Sequence, residues 1–275
     1  MKRTLSALFA LAVLATLVIL GAISQPISKR TVPSVYASGC SNATLTGIYA
    51  FTLSGWATAP PTHLTEGKSD VPEAAVGLVT FDGAGNWTTS FTFSKNGDIT
   101  SATSVPGTYT VNSNCTGTMT GAAELAIVIL GGGTEVTSVQ TDSNTTSIIE
   151  IKKQNASGCS NATLTGNYAI TLAGWGTPPP RLVPANSSVP TALGGLATFD
   201  GAGNFTGSFT LSHNGEIIAL PSDTGTYTVS SDCTGTFTDA TAGVHFATVI
   251  LAGATEVFGV QTDVGTTATL DGKKQ

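Results

Sequence analysis

The feature that most constrains this chain is that most of it is written twice. The string "ASGCSNATLTG" stands at 37–47 and again at 156–166, and "GLVTFDGAGN" at 77–86 returns as "GLATFDGAGN" at 195–204. "GTYTVNSNCTGT" at 107–118 returns as "GTYTVSSDCTGT" at 225–236, and "TEVTSVQTD" at 134–142 as "TEVFGVQTD" at 255–263. The offset drifts only between 118 and 121, so insertions are few and belong in loops. A unit of this size is a comfortable domain and is too long for a solenoid repeat. The expected organisation is a leading segment at 1–37, one domain at 38–154 and a second at 157–275, two beads on a very short linker.

Within each unit the apolar residues alternate with period two. Tyr49, Phe51 and Leu53 share one face, as do Tyr168, Ile170 and Leu172 in the second copy. Trp87, Phe91 and Phe93 form another such face, answered by Phe205, Phe209 and Leu211. Strands of this kind bury one face and wet the other, as antiparallel sheets do. Asn96-Gly97 and Asn214-Gly215 are hairpin turns of the kind that needs positive φ at both central residues. About eight strands per unit follow, beginning near Thr44, Gly77, Trp87, Gly107, Thr116, Ala126, Glu135 and Thr146. The predicted fold is all-β, with two tandem antiparallel β-barrels that leave no open edge. A pair of two-sheet sandwiches is the alternative.

The strings "GIYAF", "TFDGAGN" and "GTYTV" followed by "CTGT" resemble a pattern that recurs in secreted bacterial proteins. Their layout is similar to the eight-stranded barrels of the lipocalin, allene oxide cyclase and dirigent type. The resemblance spans both units and implies a barrel. It carries over no catalytic residue.

The first 24 residues pair a basic start, Lys2 and Arg3, with a charge-free run from Leu5 to Ile23. That is the layout of an export signal, and the run is also long enough to serve as a retained anchor helix. Either way the expected location is extracellular or at the cell surface. Without the residues before Ser38 the chain keeps 7 basic against 17 acidic residues, a net charge of −10. Nucleic acid is therefore excluded as a partner, and contact with a membrane is expected only through the N-terminal segment.

Each unit holds two cysteines, at separations of 75 and 74. In an exported chain the duplication favours the disulfides Cys40–Cys115 and Cys159–Cys233, each closing a loop long enough to contribute about 4 kcal/mol. Cys40 stands in a setting that could pass for a lipid-attachment site. Its twin Cys159, in the same setting mid-chain, argues for a structural role instead. No C-x-x-C pair occurs, and the three histidines, His63, His213 and His245, sit at unmatched places and read as surface residues. The Asp and Asn of "FDGAGN" offer oxygens but too few for calcium, and turn chemistry accounts for them. No metal or cofactor is expected.

Four residues stand out as candidate ligand contacts. Glu135 and Glu256 each open a strand, and Glu256 alternates with Phe258 and Val260. Trp56 and Trp175 open a proline-rich connection, long for a compact domain, that reaches Pro72 and Pro190. The standard hydrolase, zinc, P-loop and dinucleotide motifs are absent. The expected function is a secreted, non-enzymatic protein binding small apolar ligands. Alternatives are a cell-surface structural module and a barrel isomerase or cyclase using Glu135 or Glu256.

Overall fold

A computed structural model describes residues 39–58, 70–154, 158–176 and 189–275. The N-terminal segment, His63 and the interior of the proline-rich connections lie outside the described residues. Among the described residues no helix is long and apolar enough to cross a membrane.

The first repeat forms eight strands: β1 (Thr46–Thr58), β2 (Asp70–Asp82), β3 (Asn86–Lys95), β4 (Asp98–Val111), β5 (Thr116–Thr120), β6 (Leu125–Leu130), β7 (Glu135–Gln140) and β8 (Thr145–Lys153). The second forms β9 (Thr165–Gly176), β10 (Val189–Asp200), β11 (Asn204–His213), β12 (Glu216–Val229), β13 (Thr234–Asp239), β14 (Val244–Ile250), β15 (Glu256–Gln261) and β16 (Thr267–Lys274). Every strand pairs antiparallel with the next, and the last closes on the first, so each repeat is a closed eight-stranded barrel. A register shift between Thr89 and Phe91, repeated between Gly207 and Phe209, bends each barrel at the same point.

Two strands start earlier than the sequence suggests. β2 begins at Asp70 and β4 at Asp98, so Trp56 is paired in the sheet with Pro72 rather than standing free at a loop. The prolines conceal these starts, because Pro interrupts the ladder donors that a strand reading looks for. The hairpin turns are as expected, with φ of 53° and 81° at Asn96-Gly97 and 51° and 83° at Asn214-Gly215.

The described part of the repeated opening string, 40–44 and 159–163, covers one end of each barrel. Leu45, which ends this segment, is fully buried, and the Tyr109 hydroxyl donates to the carbonyls of Asn42 and Leu45, both at 2.9 Å. The Asn42 side chain accepts the Val111 amide at 2.8 Å. Cys40 is bonded to Cys115 in the β4–β5 turn, and Cys159 to Cys233 in the second barrel. Tyr227, Asn161 and Leu164 repeat the same set of bonds.

The barrels are not separate beads. The outward residues Ala50, Ala74 and Val76 of the first barrel form one buried cluster with Val249, Leu251, Phe258 and Val260 of the second. Polar bonds frame this contact. The Ser94 hydroxyl donates to the Thr266 carbonyl at 2.8 Å, the Gly97 amide donates to Thr267 Oγ1 at 2.9 Å, and Gln154 donates to the Ile250 carbonyl. β2 and β15 are consequently buried on both faces, and their apolar runs lose the plain alternation of a half-wetted strand.

Candidate functional site

Each barrel is filled at its plugged end and hollow toward the other. The cavity of the first is about 220 Å³ and that of the second about 380 Å³. The difference follows from the inward positions. Where the first barrel carries Phe51, Trp87, Phe93 and Ile151, the second carries Ile170, Phe205, Leu211 and Gly272. The lining is mostly apolar, with Phe199, Phe205, Phe209, Phe237 and Phe246 walling the larger cavity.

The acidic groups of the two cavities stand at different places, whereas Gln140 and Gln261 hold matching positions. In the first barrel Glu73, 5% exposed, accepts a hydrogen bond from the equally buried Ser147 hydroxyl, and Gln140 lies nearby on the wall. In the second barrel the matching position is Thr191, and acidity comes instead from Asp223 and Asp239. Asp223 is 2% exposed and accepts the Thr224 amide at 2.9 Å. Asp239 accepts the amides of Thr241 and Ala242 at 2.7 and 2.8 Å. Burial, and then the hydrogen bond and charge of Asp223, push the Asp239 carboxyl above its ordinary range, against the backbone amides that pull it down.

His213 also lines this cavity, with Nδ1 3.3 Å from Thr191 Oγ1 and a buried Nε2 that finds no partner among the described residues. The surface reading of His213 is thus corrected, because in β11 it keeps the inward phase of Phe209 and Leu211. His245 is exposed and paired with Asp263 at 2.7 Å.

The residues singled out from sequence lie elsewhere. Glu256 does share a face with Phe258 and Val260, but that face is the outer one, covered by the first barrel. Its carboxylate accepts two bonds from Lys152 Nζ at 2.8 and 2.9 Å, with Lys273 at 3.6 Å. Glu135 occupies the matching outward place on β7 and lines neither cavity. Trp56 and Trp175 also face outward and meet edge to face, ring centroids 4.9 Å apart. Glu73 and Asp223 escape the sequence reading because the expected strand starts near Gly77 and Gly107 leave out the first half of β2 and of β4, and with it the matching half of β12 that holds Asp223. Their signal is a carboxylate in the inward phase, Glu73 with Ala75 and Val79, Asp223 with Tyr227 and Val229.

In "FDGAGN" the Asp82 carboxylate is saturated by its own turn. It accepts the amides of Ala84 and Asn86 at 2.7 and 2.9 Å and the Asn86 side chain at 2.7 Å. These bonds lower its pKa to about 2, and Asp200 repeats the arrangement. Among the described residues no group of three or more His, Cys, Asp or Glu could hold a metal ion.

No family model and no curated protein matches the sequence. Among solved structures the chain is similar to isotype 1 transferrin binding protein B from serogroup B Neisseria meningitidis, with a TM-score of 0.33 and 7% identity over 84% of this chain and 75% of that one. It is also similar to CghA with Sch210972, with a TM-score of 0.27 and 7% identity over 83% of this chain and 88% of that one. Likeness of this degree says nothing about ligand or activity.

Proposed function

We propose that the chain is an exported, non-catalytic binding protein whose barrels each receive a small, largely apolar ligand, in the manner of lipocalin-type barrels. The aromatic-walled cavity of about 380 Å³ in the second barrel carries this reading, since small-molecule pockets run from about 300 to 1,000 Å³ and are mostly apolar with a few placed polar groups. The two disulfides support export, because such bonds persist in oxidising compartments. The smaller cavity, with Glu73 in place of the Asp223–Asp239 pair, would select a different ligand.

A neutral fluorescent probe, N-phenyl-1-naphthylamine, tests this. Its emission should rise on mixing with the protein. The rise should fall by half or more in a Phe205→Trp, Gly272→Ile variant, which places first-barrel residues in the second cavity. No rise, or one indifferent to filling, would sink the reading.

A second reading, a barrel isomerase or cyclase, is favoured by one observation, that Asp223, Asp239 and His213 line the same cavity. Asp239 would donate the proton there, with Glu135 and Glu256 left out because they line neither cavity. Turnover that is lost in Asp239→Asn while probe uptake persists would mark this reading. Display from a retained N-terminal helix is a matter for N-terminal sequencing of the exported chain.

A further inference from the structure

The contact between the barrels is heterologous. The first barrel offers the outer face of β1–β3, and the second the outer face of β14–β16. Because the barrels are copies, each of these faces exists a second time. The second barrel has its own β9–β11 face, and the first its own β6–β8 face. Among the described residues these duplicates are touched only at their margins, where Trp175 of β9 meets Trp56 and Lys152 of β8 pairs with Glu256.

The middle of the β6–β8 face carries a contiguous apolar patch, with Glu135, Glu150 and Lys152 at its edge. Val128, Leu130, Val139 and Ile148 are 43, 43, 47 and 60% exposed. In the ladder Val139 stands opposite both Ala126 and Ile148, and Leu130 opposite Glu135. Scattered exposed apolar residues are ordinary, but a cluster across three adjacent strands marks an interaction surface. Val128, Leu130 and Val139 match Val249, Leu251 and Val260, which are buried in the contact between barrels.

The complementary face is equally open. Leu196, 36% exposed, matches Leu78, which packs against the contact. Exposed Ala169 and Ala192 match Ala50 and Ala74, which are buried. A Cβ added at Gly194, the counterpart of buried Val76, would meet only open space.

We infer that the β6–β8 face of one copy docks on the β9–β11 face of a second copy, repeating between chains the contact already made within each chain. The framing groups are present on both sides. Lys273 holds the place of Lys152 and Glu135 that of Glu256, so the ion pair across the contact has its counterpart. Ser212 and Thr146 likewise match Ser94 and Thr267. The faces differ at a few positions: Thr137 replaces Phe258 and Gly194 replaces Val76, while Ile148 is added where the second barrel has Thr269. The contact between chains is therefore the weaker of the two. A heterologous contact leaves one face free at each end of a dimer, so assembly continues to a ring or an open filament.

Sedimentation velocity on the exported chain tests this with two variants, Val139→Glu and Leu196→Glu, each blocking one face. The wild-type mass should at least double across the micromolar range, and each variant alone should stay monomeric. An equal mixture should form dimers and nothing larger, since each variant keeps the face the other has lost. Milder variants, Val139→Thr and Leu196→Thr, should shift the same way, which separates blocked docking from misfolding. The inference is overturned by a monomeric wild type at about 100 μM, by folded variants that fail to complement, or by assembly that Leu196→Glu leaves intact, which would mean that the β6–β8 face pairs with itself.

Discussion

Asp82 and Asp200 show how much a single turn residue can settle. Their folded pKa of about 2 lies below the ordinary 3.8 because amides and an asparagine donate to the charged form. The stabilisation is complete above the ordinary value and is lost as the pH falls through about 2. Nuclear magnetic resonance titration should find both carboxylates ionised at pH 3, and Asp82→Asn should flatten the acid limb of the stability curve. Asp239 has the opposite sign. Burial favours its neutral form, so its contribution is present below 3.8 and lost as the pH rises through its raised folded value. Asp239→Asn should therefore raise stability at pH 7 in denaturant titrations and remove that part of the pH dependence. Gly107 is required by packing, since a Cβ there would lie 2.2 Å from the Trp87 ring. Gly107→Ala should cost about 1–3 kcal/mol in a urea melt, the range for overpacking.

At the scale of elements, β15 and its copy β7 carry nearly the same letters in different surroundings. β7 follows the plain pattern of one buried and one wetted face, while in β15 Phe258 replaces Thr137 and both faces are buried. Phe258→Thr, which restores the first copy's residue, should destabilise by about 3 kcal/mol in chemical denaturation, in line with losing a buried ring. Thr137→Phe should leave the fold intact, because that position is on the unpaired face. The plugging segment is the other decisive element. Cys40→Ala with Cys115→Ala should cost about 2–5 kcal/mol, measured as a lowered melting midpoint, since it frees the segment that closes the barrel's end.

For the whole molecule, the buried cluster and the Lys152–Glu256 pair tie the barrels into one compact unit spanning residues 37–275. Differential scanning calorimetry should show a single transition in the wild type, splitting into two when Phe258→Thr is combined with Lys152→Ala. A chain that uses one outer face of each barrel to hold itself together, and whose described residues leave most of each duplicate face exposed, is built from a contact that can repeat.

The duplication, the disulfide pairing and the all-β barrel class were legible in the letters, because each rests on local rules. Repeated strings mark the domains, matched cysteines pair within them, and period-two alternation separates inward from outward residues. The polar groups of the cavities were half legible. Glu73, Asp223 and His213 keep the inward phase, but proline-broken strand starts hid two of them and the third passed for a surface residue. Only the tertiary structure decided which outward faces meet. Alternation distinguishes in from out but is silent on whether an outward face meets water or another barrel. That choice depends on how two closed surfaces fit together, and it moved Glu256 from a candidate in a cavity to an ion pair between barrels.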